Sequence, residues 1–127
     1  MMETVLLVDD NALRAAIRQS ALENALSSVV RVTDGAEALC MIETPEVAAT
    51  LGLVVTGHPM TGISGPEFVA ELRQRMPQTP VLVVSPISGF EKEYEGIEGV
   101  RFSIGASAEE LGKLATEMLG VAERQTA

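Results

Sequence analysis

Two adjacent carboxylates, Asp9 and Asp10, close the apolar run at residues 5–8, while the apolar run at 51–56 closes on Gly57. In a parallel sheet the carboxyl ends of neighbouring strands frame the ligand crevice, which predicts that both junctions face one pocket. Paired carboxylates in such a place are the oxygen donors that a hard divalent cation takes. A glycine opposite them brings no side chain to complete the site or to react. The pattern is that of a catalytic pocket from which the reactive group has been removed.

The elements that must position these residues are marked by hydrophobic spacing. Short apolar runs at 5–8, 29–32, 51–56, 81–85 and 100–104 read as strands. Between them Leu13, Ile17 and Ala21 recur every four residues, as on the buried face of a helix. Ala38, Leu39 and Ile42 repeat the pattern, as do Phe68, Val69, Leu72 and Met76, and finally Leu111, Leu114, Met118 and Leu119. Strand alternating with helix specifies an α/β domain with a parallel sheet covered on both faces. Asp34, Ser64 and Ser107 each stand three residues before a glutamate, the spacing of a capping box. Ile87, Phe90, Tyr94 and Ile97 have helical spacing too, but Pro86, Gly89, Gly96 and Gly99 crowd them, so any helix there is short. The expected organisation is one domain over 1–122, with 123–127 as a frayed tail or linker stump.

Composition narrows the function. The chain has 127 residues and a formal charge of −9, which disfavours nucleic acid and anionic membrane surfaces, since both need a basic face. A protein partner or a cation suits it better. Cys40 is the only cysteine and reads as a small buried apolar residue. No apolar run reaches membrane-spanning length, and the chain opens directly into a strand, so a cytoplasmic protein is expected.

Five blocks in order carry a family resemblance: Val5-Leu-Leu-Val-Asp-Asp10, Asp34-Gly-Ala-Glu-Ala-Leu39, Met60-Thr-Gly-Ile-Ser-Gly65 with Pro66-Glu67-Phe68, Pro80-Val-Leu-Val-Val-Ser85, and Ser107-Ala-Glu-Glu-Leu111. Over about Glu3 to Leu119 the chain resembles the receiver domain of two-component response regulators, and its third block is similar to receivers of hybrid sensor kinases. The resemblance implies a three-layer, doubly wound, flavodoxin-like (CheY-like) fold: a five-stranded parallel sheet of order 2-1-3-4-5 and five helices, the fourth short or irregular. It implies a phosphorelay signalling module with no enzymatic activity of its own. Expected partners are a histidine kinase, a phosphotransfer protein or an output domain, with no nucleic acid and no membrane. Oligomeric state is left open.

Receivers accept a phosphoryl group on an aspartate ending the third strand, beside Mg²⁺ held by acids of the first. A Ser or Thr after the fourth strand and a Lys after the fifth bond the phosphoryl oxygens. Carried over by position, Asp9 and Asp10 match the metal acids and Ser85 the switch hydroxyl. The phosphoacceptor position falls on Gly57, and the lysine position on Ile104, followed by Gly105 in place of a proline. Thr61 stands where the family usually has proline, and the aromatic switch position falls on Arg101 or Phe102. These departures predict a pseudo-receiver that is not phosphorylated in the family's way and acts by protein contact, with no cofactor required. For Asp9 and Asp10 a weak Mg²⁺ site and simple helix capping both stay open, with Asn11 as a third cap candidate. Ser85 reads as a relic or a local hydrogen bonder. His58 and Thr56 are the alternative acceptors, although strand alternation points both away from residue 57. A small-molecule-binding flavodoxin-like domain is the other alternative, disfavoured by the acidic loop after the first strand and the shortage of aromatics.

Overall fold

The computed structural model describes residues 3–25 and 28–126, with side chains through Gly120. Five parallel strands, β1 (Thr4–Val8), β2 (Val29–Val32), β3 (Leu51–Gly57), β4 (Val81–Ser85) and β5 (Val100–Ile104), lie in the order β2-β1-β3-β4-β5. Around them run α1 (Ala12–Ala25), α2 (Gly35–Ile42), α3 (Pro45–Thr50), α4 (Gly65–Arg75) and α5 (Ala108–Thr126). The expected doubly wound architecture and strand order are both present. β1 and β4 are buried along their whole length, which is why they read as unbroken apolar runs instead of alternating ones.

Alternation along the strands splits the core into two layers. Leu6, Val8, Val54, Val81 and Val83 pack with Phe68, Val69 and Leu72 of α4, and with Phe90 and Tyr94, on one face. Val5, Leu7, Leu53, Val55, Leu82 and Val84 pack with Leu22 of α1 and with Leu111, Ala115, Met118 and Leu119 of α5 on the other. The three capping boxes form as spaced: Glu37 N–H donates to Asp34 Oδ1 at 2.8 Å, Glu67 N–H to Ser64 Oγ at 3.2 Å and Glu110 N–H to Ser107 Oγ at 3.2 Å. The strand register, with Val8 beside Thr56, Gly57 beside Val84 and Ser85 beside Ile104, brings the strand ends to one edge of the sheet.

Several local expectations are corrected. Leu13 and Ile17 are 73% and 54% exposed; of the expected face only Ala21 is buried, beside Ala15 and Leu22. Adjacent helical residues lie about 100° apart, and on this turn it is Arg18 that reaches Asp9 while Ile17 stays more than half exposed. The same roll seats α1 closely on α5, where a Cβ on Gly112 would stand 3.3 Å from both Ala21 O and Ala25 Cβ. The second crossover carries an extra helix, α3, with Pro45 at its start and no break before β3. The fourth is a single 3-10 turn, Glu91–Tyr94, which buries Phe90 and Tyr94 but leaves Ile87 exposed. Cys40 is exposed, not buried. Helical backbone of α5 continues to Thr126.

Phe68 is 1% exposed and packs 3.2 Å from the Cβ position of Gly35. Phe68→Ala is expected to cost about 3–5 kcal/mol in urea denaturation. Leu13→Ser, at a side chain that buries little, is expected to change stability by no more than about 0.5 kcal/mol.

Candidate functional site

The edge formed by the strand ends begins with Asp9, one residue beyond β1. Its side chain is fully buried, and a buried carboxylate demands a counter-charge and donors. Arg18, one and a half turns into α1, donates from Nη1 to Asp9 Oδ2 at 2.6 Å. Asn11 N–H donates to Asp9 Oδ1 at 3.0 Å, and Arg14 Nη2 stands 3.8 Å from the same oxygen. The N-cap of α1 is Asn11, whose Oδ1 accepts from Arg14 N–H at 2.9 Å. Asp10 faces Arg14 at 3.6 Å through Oδ1 and accepts Thr61 N–H at 2.8 Å through Oδ2. A proline at 61 would have no N–H to give.

Burial lowers the Arg18 guanidinium below its usual range, Asp9 pulls it back up, and neighbouring Arg14 lowers it again. Arginine's ordinary value is so high that the group keeps its charge. Gly57 is what admits it. A Cβ at 57 would stand 3.0 Å from Arg18 Nη1 and 3.6 Å from Asp9 Cγ. The guanidinium therefore lies against the space that an acceptor side chain would fill.

The other matched positions have local roles. Ser85, buried at the end of β4, donates from Oγ to Ile87 O at 3.0 Å and accepts Ile87 N–H at 3.2 Å. Ile104 pairs with Ser85 and is 41% exposed. Gly105 follows with φ of 66° and donates its N–H to Ser85 O at 3.0 Å, a conformation and a bond both closed to proline. No cationic side chain arrives from β5. Among the described residues no group of three or more His, Cys, Asp or Glu side chains could hold a metal. With both Asp9 oxygens engaged by protein donors and Asp10 tied to Thr61 and Arg14, the acid pair does not fit Mg²⁺ as it stands.

His58 lies on the opposite face of the sheet from this cluster, as alternation requires. Its ring stacks on Phe90 with centroids 4.5 Å apart, and Nδ1 shares a 2.9 Å hydrogen bond with Tyr94 Oη. Nε2 is 3.6 Å from Glu93 Oε2. Thr56 is fully buried. Phe102, and not Arg101, joins this aromatic group, with its ring centroid 5.5 Å from Phe90 and 5.7 Å from Tyr94. Arg101 points away, 3.5 Å from Glu117 of α5.

Sequence reasoning missed Arg18, the Thr61 N–H and the His58–Tyr94 bond. The first had a legible signal: Arg14 and Arg18 stand four apart just after an acid pair, in a chain where bases are scarce. The other two join residues 51 and 36 positions apart, and no local pattern announces them.

Comparison with known proteins agrees with this architecture. The chain belongs to the response regulator receiver domain family, whose sequence profile matches residues 5–100. The match stops at the first residue of β5, ahead of Ile104. A response regulator receiver protein from Sinorhizobium medicae WSM419 is 23% identical, with a TM-score of 0.81 over 95% of this chain and 97% of that one. The chemotaxis response regulator CheY4 of Vibrio cholerae is 24% identical, with a TM-score of 0.79 over 93% and 99%. A CheY-like receiver domain protein from Methanospirillum hungatei JF-1 is 17% identical, with a TM-score of 0.85 over 98% and 99%. At these identities the likeness is one of fold. No curated protein matches the chain.

Tyr94 is the only tyrosine, and the chain has no tryptophan. Burial, with help from Glu93, pushes its phenol well above the ordinary tyrosine range. A Cβ on Gly65 would run into Tyr94 Oη. Gly65→Ala is therefore expected to drive the ring outward and return its ultraviolet titration midpoint toward that of a free tyrosine.

Proposed function

We propose that this receiver domain is a pseudo-receiver: a module of two-component phosphorelay signalling that is not phosphorylated at the usual position and works by protein contact. The observation that carries the reading is Gly57. An acyl phosphate needs a carboxylate at the end of β3, and here the space beside the backbone is bordered by Arg18 Nη1, 3.0 Å from the Cβ position. Ile104 offers no charge-assisted partner to a phosphoryl oxygen, and Ser85 spends its hydroxyl on Ile87. Three independent positions thus argue the same way.

Protein contact is supported by what the same edge exposes. Leu13, Ile17, Ile87 and Ile104 are the large apolar side chains left in solvent among the described residues. Ile17 lines, with Arg18, Ser85, Pro86 and Gly105, a cavity of about 240 Å³. Exposed apolar side chains gathered at one edge mark interaction surfaces more often than chance exposure does. The chemistry suits a signalling partner such as a histidine kinase, a phosphotransfer protein or an output domain. Another exposed surface, carrying Arg101, Glu117, Lys113 and the acids from Glu91 to Glu98, is a second place where an output partner could dock.

The test is the intact mass of the chain after incubation with a small acyl phosphate and Mg²⁺. No added phosphoryl group is expected. A phosphoryl adduct that disappears in Asp9→Ala would mean the pocket still transfers phosphate to another acceptor, and the reading would be wrong.

A further inference from the structure

We infer that Arg18 is a built-in cation, occupying the role that a divalent ion plays beside the acids of a receiver, so that this pocket is charge-balanced without metal. The inference goes beyond the proposed function, because it concerns the metal and holds whichever protein the module contacts.

Charge comes first. Asp9 and Asp10 bring two negative charges, and Arg14 and Arg18 lie against them with two positive ones. A divalent cation approaching this cluster meets carboxylates that are already neutralised, and two guanidiniums that repel it. To reach Asp9 it would have to displace Arg18 from a 2.6 Å contact with a fully buried carboxylate. Arg18 is only nine residues along the chain, on the helix that Asn11 caps. A free ion competes at its bulk concentration, whereas a tethered group competes at an effective concentration set by its linker. The tethered group also brings a planar fork of donors that suits a carboxylate.

The second line is space. Gly57 is not among the glycines with positive φ, so its backbone does not require glycine. What the missing side chain provides is room: a Cβ would press on Arg18 Nη1 at 3.0 Å, a separation tighter than most real Cβ contacts. The loss of the acceptor and the arrival of the guanidinium are therefore one packing arrangement.

The third line is Asp10. Thr61 supplies an N–H to Asp10 Oδ2 at 2.8 Å, at a position where proline would leave that oxygen open. Residues 18, 57 and 61 lie on three different segments, and each removes a different part of the metal site: the vacancy beside Asp9, the third carboxylate and the free oxygen of Asp10.

Mn²⁺, a paramagnetic substitute for Mg²⁺, tests this by direct titration into the full chain, read by water-proton relaxation and by broadening of the backbone amides of residues 9–11, 57, 58, 60 and 61. The native protein should show no saturable binding at these amides, matching Asp9→Asn. Arg18→Ala and Arg18→Gln, the second keeping most of the side-chain stem, should each bind Mn²⁺ at least about tenfold more tightly than native. That gain should vanish when Asp9→Asn is added. Saturable, Asp9-dependent broadening in the native protein would overturn the inference, and this arm needs no Arg18 variant to fold. Folded Arg18 variants that bind no better than native would overturn it as well. The result is separable from the phosphodonor experiment, since a chain can bind Mn²⁺ without accepting phosphate.

Discussion

A carboxylate with no solvent exposure at the end of a central strand must be neutralised, and the upper edge of this molecule is arranged around that requirement. Asp9 is placed by β1, the strand between β2 and β3 in the sheet, and its burial follows from the helices packed on either side. Arg18 answers it. With Arg18 turned to Asp9, α1 exposes Leu13 and Ile17 while Ala15, Ala21 and Leu22 face inward. Removing one partner of such a buried pair typically costs about 3–5 kcal/mol, because the remaining charge is stranded. The same contact sets the use of the space beside Gly57, where the guanidinium borders the Cβ position at 3.0 Å.

The scaffold beneath is untouched by these changes. The sheet register, the two aliphatic layers and the three capping boxes are those of a receiver fold, and the departures at Gly57, Thr61 and Ile104 lie at the strand ends and the loops after them. This separation is physically reasonable. Strand ends in a parallel sheet contribute side chains to a crevice and little to the core, so Gly57, Ile104 and Thr61 can differ without loss of the packing that Phe68 and its neighbours supply. On the far face, His58 directly after Gly57 is absorbed into the aromatic group of Phe90, Tyr94 and Phe102, which ties the strand end to the 3-10 segment.

Features written in short-range spacing were legible in the sequence. The five strands, the caps at Asp34, Ser64 and Ser107, and the brevity of the segment around Tyr94 each depend on residues a few positions apart. So did the positions of Asp9, Asp10, Gly57, Ser85 and Ile104 at one edge, because strand ends follow from strand boundaries. Periodicity failed at α1 for a definite reason: it ranks faces by hydrophobicity alone and gives no weight to a buried charge waiting on the next element. It failed at Cys40 because an apolar residue type can sit on the outer side of a short helix. The α3 helix was passed over although Thr44, Pro45 and Glu46 mark a helix start. The Tyr94–His58 bond joins distant residues, and only the assembled fold brings them together.

The close approach of Arg18 to the Cβ position of Gly57 also bears on how such a chain could change over generations. An aspartate placed at 57 would enter next to a guanidinium already bonded to Asp9. The added carboxylate would find its own salt-bridge partner there and be silenced. An acceptor at 57 would need Arg18 withdrawn and Asp10 released from Thr61 as well, and each of those changes taken alone strands a charge or an N–H. The contacts of Arg18 and Thr61 with the acid pair thus make position 57 dependent on positions 18 and 61, so that no one of the three acts alone.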